Sequence, residues 1–251
     1  MDWLIPTVAF FASILTFFSG FGLGTLLMAV LLFYYPPELA IAFTALVHFA
    51  HSSFKISLNR KVDWQVFLQF GLMAMLAAVL GSYLLELLTQ STFTLYDLSR
   101  FGASKPVSLF HFIVGILLVV FAVFEWRTTK LMLELPLWLG GIVSGFFGGI
   151  SGHQGALRSA FLSSRFKDAK IFVATSSMIA WVVDLGRISM YSRSFNPSQI
   201  DLNLMIITLC AAFGGVLVGT YFLRKVTIPF IQGFVTIGLC VLGIAMLYGL
   251  I

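Results

Sequence analysis

The chain has 251 residues, of which 59% are hydrophobic and 10% charged, and its formal net charge is +5. Soluble domains carry roughly 25% charged residues, so this composition excludes a water-coated globule and indicates an integral membrane protein. The positive balance is then a topology signal rather than a nucleic-acid footprint, because Lys and Arg of membrane proteins gather in cytoplasmic loops.

In chain order, apolar segments lie at about residues 4–34, 39–58, 64–88, 108–125, 136–163, 169–191, 202–223 and 228–250. Most approach the roughly 20 residues that a spanning helix needs. The N-terminus has Asp2 where a signal peptide would carry a basic residue, and no small-residue cleavage site follows, so it is expected to be embedded and mature. Between segments the polar stretches are short, and only Gln90 to Pro106 makes a loop of some length. Asp63, Trp64, Asp201, Asn203, Trp126 and Trp138 fit helix starts and aromatic belts. Cys210 and Cys240 lie in apolar runs without CxxC spacing, which suggests neither a disulfide framework nor a thiolate metal site.

An internal repeat runs through this pattern. VLGSYLL at 79–85 matches LVGTYFL at 217–223, and the same offset carries Asp63 onto Asp201. SGFGLGTLLMAVLL at 19–32 corresponds to GGISGHQGALRSAFL at 148–162. The expected domains are a first repeat over residues 1–130 and a second over 131–251, within one membrane unit. If all eight segments cross, the basic residues divide almost evenly between the two sides, against the positive-inside rule. If the first segment of each half breaks at its glycines and returns, Lys55, Arg60, Lys61, Arg127, Lys130, Arg165, Lys167, Lys170, Arg224 and Lys225 fall on one face, against Arg100, Lys105 and Arg193 on the other. The expected fold is therefore an all-α integral membrane protein of two inverted four-segment repeats. Each repeat begins with a glycine-broken re-entrant hairpin, about six segments cross fully, and both termini are extracytoplasmic.

At membrane depth, irregular backbone with polar side chains needs protein or a water-filled cavity around it. The breaks are thus the candidate site. Half-helices beginning near Thr25 and Ala156 would aim backbone N–H groups at a central cavity, an arrangement that attracts anions. Gly20, Gly22 and Gly24, with Gly148, Gly149, Gly152 and Gly155, allow close approach and positive φ. Ser151, His153 and Gln154 offer neutral donors, and Arg158 a fixed positive charge. Asp184 and Arg187, three residues apart on one helix face, either neutralise each other or join the site, and Ser52 with Lys55 occupies the matching place in the first half. Gly-xxx-Gly spacing at Gly20 and Gly24, Gly145 and Gly149, and Gly215 and Gly219 reads in part as helix packing, whereas the cluster at 148–155 reads as binding. Snorkelling of Arg158 toward Arg165 is the competing reading. His48 and His51 share a helix face; no carboxylate or thiolate completes a metal site there, and with Asp184 they are candidates for proton coupling.

The doubled architecture, GGISGHQGALRSAFL, and ATSSMIAWVVDLGRISMY at 174–191 resemble the TauE/SafE sulfite exporter family along essentially the whole chain. The resemblance implies export, or in some members uptake, of sulfite, thiosulfate or small organosulfur and organic anions across a bacterial plasma membrane. The expected function is a secondary anion transporter working by alternating access, export favoured, with no cofactor. An anion channel or passive pore on the same frame is the alternative. The expected partners are the anion and the bilayer, with a homodimer left open and no nucleic acid. A membrane enzyme is disfavoured, since no nucleophile and base pair or metal constellation is present.

Overall fold

In the computed structural model, residues 3–17, 22–90, 93–98, 106–126, 135–162, 165–194, 201–222 and 228–250 are described. The first segment is two helices, α1 (Leu4–Thr16) and α2 (Leu23–Leu31), and the fifth is likewise α7 (Leu137–Ser151) and α8 (Gln154–Leu162). None of the four reaches the roughly 20 residues needed to span. The remaining segments are α3 (Pro37–Leu58), α6 (Leu109–Trp126), α9 (Ala169–Ser194), α10 (Leu202–Phe222), α11 (Ile228–Leu247) and one composite helix. That composite joins α4 (Trp64–Val66), a π-helical turn at Phe67–Gly71, and α5 (Leu72–Gln90). Among the described residues, four helices, Leu39–Leu58, Trp64–Gln90, Ala169–Ser192 and Leu202–Tyr221, are long and apolar enough to cross a membrane.

Local chemistry explains several boundaries. Pro36 and Pro136 precede α3 and α7, where a missing N–H costs nothing. Asp63 Oδ1 accepts from Val66 N at 3.0 Å, and Asp201 Oδ1 accepts from Asn203 N at 2.9 Å and Leu204 N at 3.2 Å, so both aspartates cap helix starts as expected. The stretch expected as a plain loop after Gln90 instead contributes β1 (Thr94–Tyr96), which pairs antiparallel with β2 (Val107–Ser108). Tyr96 anchors it by donating to the Leu247 carbonyl at 2.7 Å. One face of the composite helix is exposed at Leu68, Leu72, Leu76, Leu80, Leu84 and Leu87, a stripe at helical spacing that suits lipid rather than water. Trp64 and Trp138 are exposed at helix starts.

The largest helix interfaces join α5 to α7, α1 to α10, and α6 to α11, followed by α3 with α9 and α5 with α9. The first two are built on glycine. A Cβ at Gly141, Gly145 or Gly149 would overlap the carbonyl oxygen of Phe70, Ala74 or Ala78 respectively, so α5 and α7 run parallel with their backbones almost touching. Gly215 abuts Phe10 and Ser13, and Gly219 abuts Ile14 and Phe17, so α1 and α10 also run parallel. In contrast, Ser53 accepts from the Trp181 indole at 2.9 Å and Asn59 donates to the Lys170 carbonyl at 2.7 Å, which makes α3 and α9 antiparallel. Gly115 against Leu247, and Val119 against Gly243, make α6 and α11 antiparallel as well.

α7 and α8 fold back on each other. Gly140 lies against Phe161 and Gly148 against Gln154, and Arg165 donates to the Leu135 carbonyl at 3.1 Å, tying the end of the pair to its beginning. The turns at 59–63 and 165–170 meet at that end of the molecule through the Asn59 to Lys170 bond, with Arg60, Lys61, Arg165, Lys167 and Lys170 exposed. Of the other basic residues expected on one face or the other, Arg127, Lys130, Arg224, Lys225, Arg100, Lys105 and the side chain of Arg193 lie outside the described residues. Lys55 corrects the expectation that placed it on the charged face, because it is buried.

Candidate anion site between the two breaks

The polar residues of three helices converge inside an otherwise apolar interior. α3 contributes His48, His51, Ser52 and Lys55; α8, with the turn before it, contributes His153, Gln154 and Arg158; α9 contributes Ser176, Asp184 and Arg187. Both breaks open onto this cluster. Gly22 and Gly152 hold positive φ, 110° and 78°, a conformation that costs most side chains about 1 kcal/mol or more. A Cβ at Gly24 would lie 3.7 Å from the Gly152 carbonyl oxygen and 3.8 Å from the His48 ring, so the two breaks face each other across the histidine. α2 and α8 begin at Leu23 and Gln154, two residues earlier than expected in each case. Gly20, the other glycine of the first break, lies outside the described residues.

Asp184 is the centre of the hydrogen bonding. Its Oδ2 meets His48 Nδ1 at 2.5 Å, and its Oδ1 accepts from Arg187 Nη1 at 3.1 Å and from Gln154 Nε2 at 3.4 Å. Arg158 is 1% exposed and donates from Nε to Ser176 Oγ at 2.9 Å, which rules out the snorkelling alternative. Lys55 Nζ reaches the Phe17 carbonyl, just past the end of α1, at 3.5 Å and stands 5.4 Å over the Phe17 ring. A cation at that position is favoured by the negative end of the helix dipole. Arg187 occupies a similar place at the end of α7, since a Cβ on Gly152 would lie 3.4 Å from Arg187 Nη2 and from Met28 Sδ.

Several polar atoms in this cluster are buried without a protein partner: Arg187 Nε and Nη2, both ring nitrogens of His153, His51 Nε2 and Gln154 Oε1. Leaving a buried donor unmet costs about 1–3 kcal/mol, more when it is charged. Three buried cations, Lys55, Arg158 and Arg187, stand against Asp184, the sole buried acid among the described residues.

Some expected residues do other work. Ser151 Oγ donates to the Phe147 carbonyl at 2.8 Å and accepts from His153 N at 3.4 Å, closing the end of α7. Gly148 and Gly149, expected within the binding cluster, are packing glycines, the first against Gln154 and the second against α5. Thr25 is buried in the first turn of α2, and Gly155 is partly exposed in the first turn of α8. Ser176 and Tyr191 were not singled out as site residues. Tyr191 OH donates to the Gly149 carbonyl at 2.9 Å, and its ring lies 5.8 Å from the Arg187 guanidinium.

A family model described as Sulfite exporter TauE/SafE matches residues 5–246. The chain belongs to the TauE/SafE family. The resemblance carried by the two motifs is thereby borne out over nearly the whole length, and the TauE/SafE match covers both breaks, α3 and α9. TauE/SafE is a transporter family, so the protein is a multi-pass membrane protein of a family named for sulfite export. No curated protein and no solved structure matches the chain.

Proposed function

We propose that this TauE/SafE protein is a secondary transporter that exports a small oxyanion, sulfite, thiosulfate or a related organosulfur or organic anion, across a bacterial plasma membrane by alternating access. The observation that carries the reading is the set of buried donors without protein partners, Arg187 Nε and Nη2 and the His153 ring, beside the facing breaks at Gly24 and Gly152. An oxyanion there would accept from those donors. Arg158, Lys55, His51 and Gln154 surround it, and the backbone at Gly22, Gly24 and Thr25 closes the opposite side.

The frame of this reading is two inverted repeats, residues 1–130 and 131–251, with two re-entrant hairpins and six crossings. Support comes from the tie between Arg165 and Leu135, which returns α8 to the start of α7, and from the antiparallel pairs α3 with α9 and α6 with α11. Corresponding helices of repeats with the same orientation would run parallel. The basic end at Arg60, Lys61, Arg165, Lys167 and Lys170 is then cytoplasmic and both termini are outside.

The decisive experiment is exchange of labelled sulfite in proteoliposomes. A carrier gives saturable flux stimulated by unlabelled anion on the opposite side. Linear flux without that stimulation would replace the carrier by a pore. Cysteines placed at Arg60 and Lys167 should both be labelled from the cytoplasm; labelling from opposite sides would defeat the inverted frame.

A further inference from the structure

Asp184 and His48 form a pair with unequal access to water. The Asp184 side chain is 0% exposed and both its oxygens are engaged, whereas His48 is 14% exposed. His48 uses Nδ1 for the carboxylate, so Nε2 is the ring atom that can accept a proton while this contact is kept. The pair also joins α3 to α9, so its charge is felt by both halves of the chain.

We infer that the His48–Asp184 pair is the proton site that couples anion binding to pH, an inference that rests on the anion-transport reading. One proton adds at His48 Nε2, the Nδ1–H bond to Asp184 is retained as an imidazolium–carboxylate pair, and no other bond forms or breaks. In the unprotonated pair, the Asp184 charge is balanced by Arg187. Once His48 carries a charge, Asp184 is balanced from α3, and the Arg187 guanidinium, whose Nε and Nη2 have no hydrogen-bond partner, is left to the anion. Proton and anion therefore favour each other's binding, and the linkage is reciprocal.

The groups around the pair direct the proton to His48. On α3 they are His51, whose ring centre lies 6.3 Å away, and Lys55; from α8 and the turn before it, His153, Gln154 and Arg158; on α9, Arg187 with Tyr191 beyond it. α2 and α10, which also pack on α3, bring no buried titratable side chain. Among the three histidines of this cluster, His48 alone contacts an acid of the described residues. A charge on His51 or His153, buried among cations and without a counter-ion, is the costlier alternative.

The test uses the purified full chain and sulfate, which stays a dianion from about pH 5 to about pH 8, so that only protein groups titrate. Sulfate Kd, measured calorimetrically, should fall about 5- to 150-fold on going from pH 8 to pH 5. His48→Gln, whose amide can still donate to Asp184 but cannot take up a proton, should bind with a flat pH profile. A wild-type Kd independent of pH overturns the inference, as does a slope that survives in His48→Gln. Should that variant fail to fold, wild-type proteoliposomes with a trapped pH dye decide: sulfate entry must acidify the lumen, and entry without proton movement overturns the coupling. Failure of sulfate, sulfite and thiosulfate to bind at any pH is distinguishable from these outcomes, because it removes the transport reading as well.

Discussion

The two breaks share a backbone and differ in chemistry. α2 and α8 are each nine residues long and follow a glycine at positive φ, and each is preceded by a short helix packed in parallel on a long helix from the other half. Yet the first break offers Leu23, Gly24, Thr25, Leu26 and Leu27, while the second offers His153, Gln154, Gly155 and Arg158. Leu27, which is wholly buried, and Arg158 both sit in the fifth position of their half-helix. The difference teaches that two breaks alike in backbone need not be alike in side chains, since the charge and the strong side-chain donors lie on the second alone.

That division can be broken first at Arg187. Arg187→Ala removes a donor aimed at Gly152 and leaves Asp184 buried without that counter-charge, a loss of about 3–5 kcal/mol where a buried pair is severed. That loss is one of stability; anion flux in proteoliposomes should fall by about ten- to a hundredfold, since a hydrogen bond to a charged group is worth about 1.5–3 kcal/mol and about 1.4 kcal/mol is a factor of ten. Flux within threefold of wild type at equal protein level would remove Arg187 from the site.

The glycines separate scaffold from site. Gly145→Ala forces a methyl onto the Ala74 carbonyl, where two backbones meet and neither can yield, so a loss of about 1–3 kcal/mol is expected in thermal melts. Gly152→Ala should cost about 1–2 kcal/mol from its positive φ. It should also weaken anion binding, because the methyl lies 3.4 Å from Arg187 Nη2. Gly24→Ala meets only ordinary contacts at 3.7–3.8 Å, so the melting temperature should hold, and any effect on flux reports the approach of ligand to backbone.

Thr25→Ala, a lost hydroxyl in the apolar break, should change flux by no more than about tenfold, one hydrogen bond being worth about 0.5–1.5 kcal/mol. The smallest expected effect is also the most symmetrical. Asp63→Ala and Asp201→Ala each remove a helix cap and should lower stability by a similar amount, about 1 kcal/mol. Markedly unequal losses would argue that the two third helices are not equivalent.

Much of this was legible in the sequence because hydrocarbon penalises whatever does not belong there. A glycine-rich polar stretch inside an apolar run announces a break, and Arg158, Asp184 and Arg187 stand out for the same reason. Lys55 was legible only in part: it matches the Arg187 position in the first half, yet it lies four residues from the polar turn at 59–63, and only the packing of α1 reveals that its amine turns inward to Phe17. The bond between His48 and Asp184 spans 136 residues, and no local spacing encodes it. Gly149 packs on α5 as its spacing from Gly145 suggested, but Gly148, read only as part of the binding cluster, packs on Gln154, because a glycine carries no sign of whether its missing side chain makes room for a ligand or for a neighbour. The π-helical turn at Phe67–Gly71 was likewise invisible, since its composition differs in nothing from the helix around it.

The parallel glycine seams bear on which parts of the molecule can shift as units. Each short-helix pair is clamped to a long helix drawn from the opposite half of the sequence: α7 to α5, and α1 to α10. A rigid body held by such backbone contact is therefore assembled from both halves, like two hands with crossed fingers. A rocking step would not separate the N-terminal half from the C-terminal half but slide one interlaced body past the other, and neither half expressed alone would possess the surface on which its own hairpin rests.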